Sequence, residues 1–518
     1  MAPRAVAVGT RPGPVAAACV AALVLAAFAG IATRAEVGRG LGPADWAAIR
    51  FTAWQAFLSA FLSCLLAVPV ARALARRDFT GRGLLVTLLG APFILPVIVA
   101  VLGLLAVFGR SGWLNTLFGA LGLTELSIYG LQGVVLAHVF FNLPLATRLL
   151  LQGWQAVPAE RFRLAAQLNL PPRTVFRTLE WPVLVRILPG AFGLIFVICL
   201  TSFAVALTLG GGPRATTIEL AIYQAFRFDF DLARASLLSL VQLLLAGSAA
   251  LATLWIVPRF GIGGGLDRPP QRWDARGGHQ RAADAGTIAL AAAFLLLPLL
   301  AVTVSGLAAL PGMPASVWSA TLTSLWVAGL SVTLLLALAL PMAGWIASRR
   351  RGGAETVGIL GLATSPLMIG TGWFILLNPL VNPASLALPV TALVNALMSL
   401  PFALRILVPQ LRDTLDTYGR LGAALNLRGW TAWRWMILPR IRPQIGFAAG
   451  LAGALSIGDL GVIALFADPD SATLPLQMYR LMAAYRLEDA AGAALLLLLL
   501  ALAVFVACER GGRWNAAD

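Results

Sequence analysis

The stretch RLAAQLNLPPRTVFRTLEWP (Arg163–Pro182) decides the fold, because it interrupts a chain that is otherwise largely apolar. It is basic, broken at Pro171-Pro172, and too polar to cross a bilayer. A second stretch, RLGAALNLRGWTAWRWMILP (Arg420–Pro439), begins 257 positions later. At that offset residues 143–182 and 400–439 align without a gap, pairing Pro144/Pro401, Arg148/Arg405, Leu168/Leu425, Asn169/Asn426, Arg177/Arg434 and Pro182/Pro439. A weaker echo at offset 256 pairs Thr217, Leu220 and Tyr223 with Thr473, Leu476 and Tyr479. Unrelated polar linkers do not align in this way, so the chain reads as an internal duplication.

The rest of the chain must supply membrane. Of its 518 residues 59% are hydrophobic and 12% charged, against about 25% charged in soluble domains; mean hydropathy is +0.86. Since a spanning helix needs about 20 apolar residues, the apolar runs predict twelve helices. Six lie near 14–33, 52–73, 84–108, 129–147, 187–209 and 235–257; six more lie near 287–309, 321–347, 357–378, 386–404, 444–466 and 490–508. The first reads as an uncleaved span, being longer than the apolar core of a secretory signal.

A net charge of +16 would suit nucleic acid, but its distribution follows the positive-inside rule. Arg72, Arg76, Arg77 and Arg82, then Arg259, Arg268, Arg272, Arg276 and Arg281, then Arg349–Arg351 fall in alternate loops, as do both quoted stretches. The intervening loops are neutral or balanced. Both termini and both stretches are therefore expected on the cytoplasmic side, and no nucleic-acid partner is needed. The expected organisation is a first half (1–257), a cytoplasmic linker (258–286) rich in Gly, Pro and charge, and a second half (287–518). Six spans in each half give a parallel repeat.

Each insert (159–186 and 416–443) reads as a helical hairpin. Leu164 and Leu168 make an apolar ridge beside the small Ala165 and Ala166. Asn169 and Asn426 stand where a left-handed residue would close the first helix. Thr174 and Thr431 are expected N-caps of the second helix, and Pro182 and Pro439 are expected to stop it before the next span. Such a hairpin could rest on lipid headgroups through Arg173, Arg177 and Arg186. Two equivalent hairpins favour a second use, docking a dimeric cytoplasmic partner.

At these residues the chain resembles the permease subunits of binding-protein-dependent ABC importers. Their loop pattern runs Glu-Ala-Ala, three residues, Gly, nine residues, then Ile-x-Leu-Pro. Anchored on Pro182, its Gly falls on Asn169, its second Ala on Ala165 and its Glu on Arg163; anchored on Pro439, the equivalents are Asn426, Gly422 and Arg420. Leu164 and Leu421 replace the first Ala, and Ala166 and Ala423 follow the second. Arg163 and Arg420 thus depart from the family's Glu. RLAAQLNL, EWP, TLGGGPRATTIELAIYQAF (208–226) and LSIGDLGVIALF (455–466) resemble one branch more closely, the fused-duplicate permease of thiamine importers; ferric-iron permeases share the architecture.

The resemblance implies an all-α integral membrane protein of type I importer architecture in a bacterial inner membrane. It also implies a cytoplasmic ATPase dimer that carries the ATP and Mg and docks on the two hairpins, and a periplasmic substrate-binding protein. The chain itself is expected to bind no cofactor. A phosphate-binding loop needs a Lys, and the sequence contains none; GGGPR (210–214) reads as a turn. Loops near 210–232 and 467–487 are candidates for docking the binding protein, or else re-entrant helices. Asp459, expected deep in the eleventh span, is either a carboxylate capped at a helix end or a negative wall of the translocation path, suited to a cation such as thiamine. A secondary transporter is the rival class, with Asp459 as its ion site. His138 reads as a packed, hydrogen-bonded side chain, and Cys19, Cys64, Cys199 and Cys508 as packed or lipid-facing residues without metal spacing.

Overall fold

The computed structural model describes residues 12–36, 38, 40–89, 94–212, 215–256, 272–275, 277–348, 364–466 and 472–513. Among these the regular structure is helical, with no strand. The linker residues 258–271, Arg349–Arg351, the start of the expected span at 357–378 and much of the 467–487 loop's beginning fall outside the described residues.

The elements come in two series. The first is α1 (Pro12–Arg34), α2 (Pro43–Arg76), α3 (Val97–Phe108), α4 (Leu131–Gln155), α5 (Ala159–Gln167), α6 (Trp181–Leu200), α7 (Ala204–Leu209), α8 (Ile218–Arg227) and α9 (Leu232–Ile256). The second is α10 (Gly278–Ala309), α11 (Ala315–Ser348), α12 (Pro366–Leu377), α13 (Ala387–Ala424), α14 (Leu438–Ile457), α15 (Gly461–Phe466), α16 (Leu474–Ala483) and α17 (Leu487–Arg513). Lengths agree at four matched pairs: 34 residues in α2 and α11, 12 in α3 and α12, 20 in α6 and α14, 10 in α8 and α16. Even the strained backbone repeats. Among the described residues, those other than glycine with positive φ are Asn169 (48°) with Asn426 (52°), and Phe230 (54°) with Tyr485 (59°).

Eleven helices among the described residues are long and apolar enough to cross a membrane. The chain is an all-α, multi-pass membrane protein. Three expected spans differ from the structure. The run at 84–108 is not one helix: Arg82–Leu88 is separate, and α3 starts after Pro96, its N-cap. Proline lacks the N–H and keeps its predecessor out of the α region. The runs at 187–209 and 444–466 start earlier than expected and break at 201–203 and 458–460, leaving α7 and α15 as six-residue helices.

The first helices are exchanged between the series. α1 packs on α12 and α11, and α10 packs on α3 as well as α17. Glycines permit this. A Cβ on Gly30 would come 2.6 Å from the Gly372 carbonyl oxygen, and one on Gly103 would come 2.5 Å from that of Pro298. In lipid, where apolar side chains gain little by leaving the tails, close backbone approach and polar bonds hold helices together. Both halves use such bonds between matched helices, though the asparagines sit one turn apart in register. Asn142 Nδ2 donates to Cys199 Sγ (3.4 Å) between α4 and α6, and Asn395 Nδ2 donates to Ser456 Oγ (3.1 Å) between α13 and α14. His138 is 4% exposed, its Nδ1 3.2 Å from Ser59 Oγ.

Candidate functional site

Each hairpin begins with a helix that ends in the same way. In the first, Leu170 N–H reaches Ala165 O (3.0 Å) and Asn169 N–H reaches Ala166 O (2.9 Å). In the second, Leu427 N–H reaches Gly422 O (2.8 Å) and Asn426 N–H reaches Ala423 O (3.1 Å). This six-to-one and five-to-two pair is a Schellman closure, with Asn in the left-handed position that glycine usually fills. The closure fixes which face is outward. Leu164 and Leu168 are 56% and 62% exposed, and Leu421 and Leu425 are 55% and 62%. Arg163, Asn169, Pro182, Arg420, Ala423 and Asn426 are also exposed, Ala166 and Pro439 are intermediate, and Ala165 and Gly422 are buried beneath.

Three expectations about the hairpins need correction. Thr174 and Thr431 are not N-caps: Pro171 and Arg428 hold those positions, and both threonines lie inside the first turn. Pro182 and Pro439 do not stop a helix either. The chain runs on into α6 and α14, because a five-residue π-turn precedes each proline (Phe176–Glu180 and Trp433–Ile437). Trp181 N–H bonds Phe176 O and Leu438 N–H bonds Trp433 O, and the widened turn accommodates a ring that has no N–H to give. Finally, only the first hairpin is set off from its span. Pro158 is the N-cap of α5, whereas the aligned position is Leu415 and α13 runs unbroken for 38 residues, so the segment at 416–443 begins inside a helix.

Beneath the first hairpin lies a residue that the sequence alone does not single out. Glu180 is fully buried and accepts from Arg72 Nε at 2.7 Å and Arg272 Nη2 at 2.5 Å, with Arg76 Nη2 at 3.5 Å. Arg72 stacks over Phe176 (4.5 Å) and Arg272 over Phe162 (4.4 Å), while Trp273 Nε1 donates to Phe162 O (3.4 Å). The segment Arg272–Ala275 is therefore strapped to the hairpin. The second hairpin has Ile437, also fully buried, at the aligned position. There Trp433 lies against Gly344 of α11, and Arg440 stacks over Tyr418 at 3.9 Å.

Asp459 stands not within a helix but in the break between α14 and α15. Its Oδ1 accepts from Gly461 N–H (3.2 Å), and Asn395 lies nearby. Its Oδ2 has no partner among the described residues. The segments 210–232 and 467–487, candidate docking loops or re-entrant helices by sequence, contain α8 and α16, whose buried faces pack into the protein. Their first amides are held alike: Ile218 N–H bonds Thr52 Oγ1 and Leu474 N–H bonds Ser324 Oγ, each at 2.8 Å.

No protein-family model matches the chain. Among known proteins it is 41% identical to the thiamine transport system permease protein ThiP of Salmonella typhimurium, over 96% of each chain. It is 41% identical to the protein of that name in Escherichia coli, again over 96% of each. The Haemophilus influenzae protein is 35% identical, over 87% of this chain and 86% of its own. The matched stretch covers nearly the whole chain, and these relatives are transport system permeases. The chain belongs to the family of thiamine transport system permease proteins.

Proposed function

We propose that the chain is the permease of an ATP-driven thiamine importer of a bacterial inner membrane, with both termini cytoplasmic. Its two halves, parallel repeats, form the path for thiamine and its phosphate esters. A separate ATPase dimer, carrying the ATP and Mg, docks on the hairpins at 159–186 and 416–443. A periplasmic binding protein delivers substrate to the opposite face, around 210–232 and 467–487. The observation that carries the reading is the pair of matched leucine ridges. Four apolar side chains, each more than half exposed, stand on two hairpins closed by the same left-handed asparagine. Exposed apolar patches of this kind mark partner sites, and a duplicated patch suits a partner with two equal subunits.

The test is co-purification. In mild detergent the chain should bring an ATPase with it, and Arg163→Glu together with Arg420→Glu should weaken that association. Labelled thiamine should enter vesicles holding the full complex. Entry of ferric iron alone would refute the substrate, and ion-driven uptake by the chain without any ATPase would refute the class.

A further inference from the structure

The two halves differ most sharply in their interior polar residues, at positions that lie together. Gln55 Nε2 donates to Cys199 O and Gln242 Nε2 to Leu200 O, each at 2.9 Å, so both glutamines cap the broken end of α6. Gln242 lies beside Glu219, whose Oε2 accepts from Ser365 Oγ at 2.8 Å. Ser365 caps α12, and the turn it opens lies against the other break: a Cβ on Gly461 would sit 3.5 Å from Asp459 Oδ1 and 3.9 Å from Pro366 Cβ. The helices α8, α12 and α15 pack on one another. Phe226, Phe374 and Phe466 meet near their far ends, with centroids 4.4 and 5.5 Å apart. Glu219, Ser365 and Asp459 thus share the end at which three helices start.

Two features point to a ligand. First, Gln55, Gln242 and Glu219 are at most 1% exposed, yet Gln55 Oε1, Gln242 Oε1, Glu219 Oε1 and Asp459 Oδ2 all lack a donor among the described residues. A buried acceptor without a donor costs about 1–3 kcal/mol. Second, the matched elements place Val327, Leu497, Pro475 and Ser202 at the corresponding positions of the other half. Packing in the twin needs none of these acceptors, so packing does not account for them.

We propose that Gln55, Gln242, Glu219 and Asp459 form a single, off-axis recognition site for an organic cation bearing N–H donors. Thiamine has this chemistry, with its thiazolium ring and aminopyrimidine, and the assignment rests on the reading that thiamine is the substrate. The Glu219–Ser365 bond joins a first-half helix to a second-half helix, so the site is closed in this conformation and opens as the halves part. The carboxylates balance the fixed positive charge, and the glutamine oxygens accept from the amine.

The test compares uptake by the assembled transporter of thiamine and of its neutral deaza analogue, in which an uncharged ring replaces the thiazolium. Glu219→Gln with Asp459→Asn should lower the maximal thiamine rate by about tenfold or more. The analogue's rate, the half-saturation concentration and ATPase co-purification should stay within about threefold. Should that pair disturb assembly, Asp459→Ser, which installs the twin residue, must show the same selective loss. Equal loss for both compounds, or none, overturns the site. Failure of the unmodified transporter to take up thiamine would instead overturn the substrate reading.

Discussion

Glu180→Gln offers the sharpest perturbation of the hairpin architecture, because one carboxylate holds three guanidinium groups. Arg272 and Arg76 are 2% and 6% exposed at their side chains, while Arg72, at 29%, is partly solvated. Removing one member of a buried ion pair typically costs about 3–5 kcal/mol, since the remaining charge stays desolvated. Solvent at Arg72 and the residual acceptor of Gln argue for the lower end, about 3 kcal/mol. At 1.4 kcal/mol per decade this makes opening of the strap about a hundredfold more frequent. Hydrogen–deuterium exchange of the purified protein reads that opening directly. Amides of Trp273–Ala275 and of Phe162–Asn169 should exchange about a hundredfold faster, whereas Arg420–Leu427 should be unchanged because Ile437 replaces the acid there. A double-mutant cycle with Arg272→Met should return a coupling of about 1.5–3 kcal/mol. Zero coupling, or equal acceleration in both hairpins, would refute the latch.

Other consequences follow from single residues. Asn169→Gly should be tolerated within a few tenths of a kcal/mol, while Asn169→Val should destabilise the closure by about 1–2 kcal/mol, as read by exchange at Leu170; Asn426 should behave alike. Leu415→Pro should break α13 where Pro158 sets off the first hairpin, costing about 3 kcal/mol of thermal stability, whereas Pro158→Leu should leave assembly intact. Gly372→Val should separate α1 from α12 and lower the melting temperature markedly, because the Ala27 backbone lies against that Cβ direction. Leu168→Asp with Leu425→Asp should abolish ATPase co-purification without changing the circular dichroism of the chain.

What the sequence made legible was whatever depends on residue type at a local position. Apolar runs predict helices, and asparagine after a helical ridge predicts a left-handed closure, so Asn169 and Asn426 are readable in advance. The failures have a common source. Pro182 and Pro439 look like stops because a sequence cannot display an i→i+5 turn, which absorbs the proline two residues after its widened segment begins to close. Pro158 and Leu415 differ within an otherwise matched stretch, and one ring decides whether a hairpin is separate or continuous with its span. Glu180 was invisible for another reason: its partners lie 108 and 92 positions away, and nothing local marks a carboxylate that will meet them. Three of the interior acceptors were hidden likewise, since Gln55, Glu219 and Gln242 come from three separate helices, whereas the lone acid Asp459 in an apolar run could be named in advance.

The exchange of α1 and α10 gives the duplication a mechanical consequence. If each half packed only on its own first helix, the halves could slide apart as modules joined only by a linker. Instead α1 lies on α12 and α11, and α10 on α3 as well as on α17 of its own half, with Gly30 against Gly372 and Gly103 against Pro298 at backbone contact. Rotating one half must therefore carry a helix of the other with it. Motion applied at one hairpin reaches both sides of the interior boundary, where Glu219 of one half bonds Ser365 of the other at 2.8 Å. Among the described residues, the strap through Arg272 holds the first hairpin, while the second, with Ile437 in place of the acid, is continuous with its span.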